Sequence, residues 1–177
     1  MSGIGKRIIV IGSPGSGKST FSRNLSEITG IPLIHLDKEF WNYGWVETPR
    51  EEWVRKQEKF ICESEWIIDG NYGGTLDIRI EKADTIFSFQ LNRVICLVRY
   101  FKRVIKNINK IRPDMPEGCP EHFDFEFMKY IWSFPKESGK RNLERIHNSK
   151  DKHVIIFKNK NDANKFICKL DDNNTLL

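Results

Sequence analysis

Residues 12–20 read Gly12-Ser13-Pro14-Gly15-Ser16-Gly17-Lys18-Ser19-Thr20, which fills the pattern G-x-x-x-x-G-K-[ST] completely. Each residue type has a physical reason to be there. Gly12, Gly15 and Gly17 let the backbone wrap closely around phosphate oxygens, where a Cβ would block the turn. The freed amides and the start of the next helix direct partial positive charge inward. Lys18 can reach the β and γ phosphates of a nucleoside triphosphate, and the Ser19 hydroxyl is placed to ligate Mg²⁺. The context is also right, with the apolar run Ile8-Ile9-Val10-Ile11 before it and a helical pattern after it. A chance glycine-rich turn would not satisfy pattern, spacing and context together. Gly12 to Thr20 is therefore expected to hold a nucleoside triphosphate with Mg²⁺.

Two carboxylates, Asp37 and Asp69, each close a strand-like run. Ligands of parallel sheets gather beyond the carboxyl ends of the strands, so both are expected beside the phosphate loop. Asp37 has three readings: contact or base for a phosphoryl acceptor, contact to metal-bound water, or a structural cap. Asp69 reads equally as a tie for the loop that follows it. Between them, Phe40-Trp41-Asn42-Tyr43-Gly44-Trp45 puts four aromatics into six residues. Trp41 and Trp45 could form a stacking wall, or the loop could be pinned to the body by its own rings. Gly70-Asn71-Tyr72-Gly73-Gly74 lets backbone come close to an acceptor. Arg79 can pair bidentately with an acceptor phosphate or carboxylate, or with a surface acid. Asp37, Trp41, Trp45, Asp69, Gly70, Asn71, Tyr72 and Arg79 are thus the candidate acceptor residues.

From Arg93 to Arg112 there are seven basic residues and no acidic one. Arg99, Arg103, Lys106 and Lys110 share a helical face opposite an apolar stripe. Such a face can close on a transferring phosphoryl group, stay solvated, or contact a nucleic-acid backbone. The stretch Asp114 to Glu126 carries five acids and no Lys or Arg. Folded back, it would partly neutralise the stripe, which weakens the nucleic-acid account. Lys18, Asp37, Arg99, Arg103 and Arg112 are the catalytic candidates.

The rest of the composition narrows the field. His35, His122, His147 and His153 show no metal-ligand spacing, and local packing is expected of them. Cys62, Cys96, Cys119 and Cys168 are widely separated, fitting neither a metal site nor a disulfide scaffold. Buried thiols are expected of Cys62 and Cys96. A balance of 29 Lys plus Arg against 24 Asp plus Glu suits anionic ligands, yet is too mild to indicate nucleic acid. A strand-like run near the start leaves no room for a secretory signal, and no apolar run nears the roughly 20 residues that span a bilayer. A cytoplasmic protein without a membrane partner is the expectation.

Elements that could position these residues are readable from periodicity. Strands are expected at Lys6–Gly12, Pro32–Asp37, Trp66–Asp69, Asp84–Leu91 and His153–Phe157. Helices are expected at Lys18–Thr29, from Arg50 towards Cys62, from a Thr75 cap to Lys82, at Arg93–Ile111, from Asp124, and at Asp162–Leu170. A polar Asp and Asn tail after Leu170 should fray. Alternating strands and helices argue for an α/β fold, an open parallel sheet covered on both faces. The chain reads as a single domain, 1–177, in which 112–149 is too long for a simple crossover and is the candidate cap over the site.

The chain resembles the adenylate-kinase-related P-loop proteins known as DNA topology modulation proteins of the FlaR type. Four stretches carry the resemblance: Gly12 to Thr20, Leu36-Asp37 with Trp41 and Gly44-Trp45, Trp66 to Tyr72, and Arg112-Pro113-Asp114-Met115-Pro116-Glu117-Gly118-Cys119-Pro120-Glu121. It implies a three-layer, nucleoside-monophosphate-kinase-like P-loop fold, with a five-stranded parallel sheet in order 2-3-1-4-5 and a helical lid. It also implies ATP and Mg²⁺ use, with a small-molecule phosphoryl acceptor. The family name suggests an alternative, a nucleotide-binding regulator of DNA topology, and an ATPase switch is a third reading. One departure stands out. Relatives commonly end the fourth strand with Asp-x-Pro-Arg, and this chain has Gln90-Leu91-Asn92-Arg93. If that Asp holds magnesium through water, Asp37 or Asp69 takes over the role here, or turnover is weak.

Overall fold

The computed structural model describes residues 4–149 and 151–174. In chain order its first elements are β1 (Arg7–Gly12), α1 (Lys18–Thr29), β2 (Leu33–His35), the short α2 (Leu36–Phe40), and the two-residue strands β3 (Trp41–Asn42) and β4 (Val46–Glu47). Next come α3 (Arg50–Cys62), β5 (Trp66–Asp69), a 3₁₀ turn (Gly73–Thr75), α4 (Leu76–Lys82), β6 (Thr85–Phe89) and α5 (Arg93–Asn107). The last are α6 (Phe125–Ser133), α7 (Ser138–Asn148), β7 (His153–Phe157) and α8 (Lys160–Asn174).

β2, β5, β1, β6 and β7 form one parallel sheet in that order, which is 2-3-1-4-5 when its own strands are counted. The apolar run of β1 is buried on both faces, as a central parallel strand requires. Its side chains alternate between two cores. Ile8 and Val10 join Phe21, Leu25, Phe87 and Tyr100, whereas Ile9 and Ile11 join Trp53, Trp66, Ile68 and Ile80. The frequent phenylalanines find their place in the first core, where the Phe21 ring meets Phe87, Phe89 and Phe157 edge-on at 4.9, 5.3 and 5.3 Å. The register sets Val10 beside Asp69 and Asp69 beside His35, so the ends of β2, β5 and β1 lie on one sheet edge.

Several expected boundaries move, the fourth strand for one spanning Thr85–Phe89 where Asp84–Leu91 is expected. The second strand stops at His35, because Leu36 turns inward to full burial and opens a helix; Asp37 therefore sits in a first helical turn and not at a strand end. α5 ends at Asn107, four residues before Ile111, where Asn109 takes a left-handed φ of 59° and Ile108 bridges to Glu121. The last helix is longer than expected and runs through Asn174, so the Asp and Asn residues placed in a frayed tail begin inside it; residues 175–177 lie outside the described residues. The Cys62 thiol is exposed, against expectation, while Cys96 is buried. Among the described residues no helix is long and apolar enough to cross a membrane.

Candidate functional site

The sharp turn after β1 is enforced at Gly12, which has φ 131° and where a Cβ would strike the Phe89 backbone. Gly17 precedes α1 with φ 100°, and α1 begins without any side-chain cap or acidic residue in its first turn. Its leading amides are therefore available to a ligand. Ser13 and Ser16 are buried, and the Ser16 hydroxyl has no hydrogen-bond partner among the described residues. Lys18 Nζ donates to the Ser13 carbonyl at 3.0 Å, a neutral partner that a phosphate oxygen can outcompete. Burial pulls the Lys18 ammonium down, and Asp69 and Asp37 oppose this. Open turn, uncapped amides, a loosely held Lys18 and the Ser19 hydroxyl form a donor set that fits a nucleoside triphosphate with its Mg²⁺.

Asn71 ties this loop to the end of β5. Its carboxamide oxygen accepts from the Gly12 amide and its nitrogen donates to the Gly12 carbonyl, both at 3.0 Å. Asp69, buried next to it, meets His35 Nδ1 at 3.0 Å with one oxygen, while its other oxygen is buried without a hydrogen-bond partner among the described residues. Asp37 accepts from the Tyr72 hydroxyl at 2.8 Å. Asp37 is solvent-exposed where it lines the cavity, and the surrounding walls of that cavity are what desolvates its carboxyl. Burial raises its pKa, the Tyr72 hydrogen bond opposes, and nearby Asp69 adds to the rise. Burial and the Asp37 charge in turn push the Tyr72 hydroxyl far up, so it stays a donor.

The aromatic stretch divides between the two roles it could have. Phe40 packs on Trp53 and Tyr72, at 5.1 and 4.9 Å between ring centroids, and pins the loop. Trp41 and Trp45 stand edge to face at 5.4 Å and line the cavity. The β3–β4 hairpin also meets the segment that starts at Arg112. Gly44 donates to the Gly118 carbonyl, Cys119 Sγ donates to the Asn42 carbonyl, and the Trp45 ring meets His122 at 5.1 Å.

Arg99 donates to the Ser16 carbonyl at 2.9 Å, which brings α5 onto the phosphate loop. Arg103 and Arg112 share Glu121, with Arg103 Nη2 at 3.1 Å and Arg112 Nε at 2.7 Å from its two oxygens. Arg112 also holds Asp114 at 2.9 Å. The acidic stretch thus folds back on the basic face as its charge pattern suggests. One cavity of about 1020 Å³ is lined by Lys18, Ser19 and Arg99 and by Asp37, Trp41, Trp45 and Asp69 to Tyr72. Arg103, Arg112 and Lys106 line it as well.

Arg79 is the correction among the acceptor candidates. It is fully buried, outside the cavity lining, and donates to the carbonyls of Thr75, Gly70, Asn71 and Tyr72. Burial pulls its pKa down to about 9, and the four carbonyls still keep a protonated guanidinium satisfied at neutral pH. Its work is to hold the 70–75 turn. Gln90 follows β6 but does not line the cavity, and its side-chain nitrogen is buried without a hydrogen-bond partner among the described residues. Among the described residues no group of three or more His, Cys, Asp or Glu is arranged to hold a metal ion. The sequence alone did not mark Asn71 as the partner of Gly12 or Glu121 as the shared acid, since both pairings span residues distant along the chain.

Sheet order, phosphate loop and cavity together define a P-loop protein of nucleoside-monophosphate-kinase-like fold. The chain is 27% identical over 106 residues to an adenylate kinase of Thermotoga petrophila, a match covering 58% of this chain and 47% of that one. It is 35% identical over 88 residues to the pentafunctional AROM polypeptide of Scheffersomyces stipitis, covering 42% of this chain and 6% of that one. The matched stretches thus span less than half of either relative. A solved shikimate kinase from Acinetobacter baumannii, in complex with shikimate, superposes with a TM-score of 0.58 at 14% identity, covering 93% of this chain and 90% of that one. No protein-family model matches the chain.

Proposed function

We propose that this protein transfers the γ-phosphoryl group of Mg-ATP to a hydroxyl or phosphate of a small molecule. The observation that carries the reading is the single cavity lined both by the phosphate loop and by Asp37, Trp41, Trp45 and Tyr72. When bound, Mg-ATP supplies the phosphoryl group and an ADP leaving group. The amides of Gly15 to Ser19 and the Lys18 ammonium orient its phosphates, and the Ser19 hydroxyl is the protein ligand for Mg²⁺. Asp69, with a buried oxygen free, is suited to metal-bound water in place of the carboxylate that Gln90 lacks. Asp37 accepts the proton of an acceptor hydroxyl, positioned by Tyr72. Gly70 and Asn71 shape the backbone beside the acceptor. Trp41 and Trp45 supply apolar walls for it.

Arg99, Arg103 and Arg112 put positive charge beside the negative charge that the phosphoryl oxygens and leaving group carry in the transition state. Residues 112–149 act as a lid that excludes water, their contacts with the β3–β4 hairpin closing the cavity. The sequence stretches shared with the FlaR-type proteins support membership of that group, and the neutralised arginines favour a small acceptor over DNA. The test follows labelled γ-phosphate of ATP with Mg²⁺ across nucleoside monophosphates, nucleosides and common phosphorylated or acidic metabolites. A new labelled product is expected. Release of free phosphate with every acceptor would make the protein an ATPase switch and end the kinase reading.

A further inference from the structure

A second, smaller cavity of about 310 Å³ shares Asn71, Gly73 and Tyr130 with the main one. Its far wall is one face of α7, where Ser138, Arg141, Asn142 and Arg145 stand at helical spacings of three, one and three residues. No carboxylate lines it. Arg145 reaches over to donate to the Gly73 carbonyl at 2.6 Å, and its Nε lies 3.3 Å from Asp77 behind the turn. Arg141 donates to the Ser138 hydroxyl at 3.2 Å and is otherwise exposed. Asn142 is only 6% exposed and turns one edge to the cavity it lines. At Gly74 an added Cβ would meet nothing within 4 Å, so the opposite wall leaves room for a ligand.

Two guanidiniums, a hydroxyl and a carboxamide line this cavity and make a donor set for an oxyanion, and Asp77 competes for only one of the two charges. We propose that this pocket seats a carboxylate or phosphate carried by the acceptor, while the reacting group of the same molecule stands at Asp37. This inference rests on the kinase reading and narrows it: the acceptor is a small anion with its reacting group at a distance from its charge. Tyr130, which lines both cavities, stands at the passage between them.

Equilibrium dialysis with labelled inorganic phosphate tests the site itself. The wild-type chain is expected to bind two phosphates, Lys18→Ala to lose one, and the double variant Arg141→Gln, Arg145→Gln to lose the other. A double variant that binds as much as wild type overturns the proposal. Because Arg145 also steadies Gly73, the single variant Arg141→Glu is measured in parallel, with melting temperature as the check on folding. For the acceptor found with labelled ATP, Arg141→Gln should raise KM about 10- to 100-fold, the range for a charged hydrogen bond. The neutral ester or amide of that acceptor should show no such change, and carboxylate and phosphate acceptors in the panel decide which oxyanion is read. An acceptor from the panel that carries a carboxylate or phosphate and whose KM is unchanged by Arg141→Gln sinks this site and leaves the kinase reading intact. Phosphate bound at Arg141 with no transfer to any acceptor sinks the kinase reading instead.

Discussion

The Asn71 side chain holds both backbone polar groups of Gly12, accepting from its amide and donating to its carbonyl at 3.0 Å each. The phosphate loop and the loop after β5 are thereby one rigid unit, and whatever orders one orders the other. Arg79 braces the same unit from beneath through four carbonyls.

Asn71→Ala removes both bonds and leaves two buried backbone groups to find other partners. Stability should fall by about 1–3 kcal/mol, and ATP affinity should fall with it. Denaturant unfolding and an ATP titration measure the two effects. An Asn71→Ala protein equal to wild type in both would show that the pairing positions nothing.

The raised pKa of Asp37 fixes the direction of a pH profile. Asp37 must be ionised to take a proton, so kcat/KM falls as pH drops through its raised value, and the acid limb should lie above the ordinary 3.8. Tyr72→Phe removes the hydrogen bond that opposes the rise, and should shift the limb further up. The stability sign is the reverse of the catalytic one. A carboxyl raised by folding contributes stability that is present below pH 3.8 and lost as pH rises through the raised value. Asp37→Asn should therefore melt at a higher temperature at pH 7 while losing transfer. A limb at or below 3.8 in wild type would contradict the burial argument.

Glu121 compensates two guanidiniums at once, at 6% exposure. Burial and the neighbouring Arg112 charge pull Arg103 down, and Glu121 opposes them. Glu121→Gln leaves the two cations facing each other and should cost about 3 kcal/mol of stability, read by denaturant unfolding. Glu126→Gln, whose carboxylate is exposed and pairs only with Lys129, should change stability by less than about 0.5 kcal/mol.

Gly118 has φ 76°, and a Cβ there would meet the Tyr43 ring. Gly118→Ala should detach the β3–β4 hairpin from the 112–149 segment, raising the acceptor KM more than the ATP KM. Equal changes in both constants would deny that this contact closes the acceptor side.

What the sequence reveals follows from how local the physics is. The phosphate loop is legible because its glycines and Lys18 answer to a backbone turn encoded within nine residues. β5 matches the expected span because its continuous apolar run reports burial on both faces, and β7 matches on its apolar run although, as an edge strand, it buries only Phe157 fully. Arg79 was misread because its acceptors are loop carbonyls, which leave no mark in a side-chain pattern. The early end of α5 was hidden for a related reason: Ile108 and Ile111 keep the helical spacing, and only the bridge from Ile108 to Glu121 takes the chain away. The shared acid Glu121 could be anticipated in sign from the acidic stretch, but not in identity.

The central claim, phosphoryl transfer from a P-loop-bound triphosphate, is tested most directly by comparing wild type with Lys18→Ala at saturating Mg-ATP. The labelled acceptor product is the readout. Loss of Lys18 removes the charge that follows the migrating phosphoryl group, so transfer should drop by about 100- to 1,000-fold or more. Transfer at the wild-type rate from the Lys18→Ala protein would contradict the assignment of this loop as the site of catalysis.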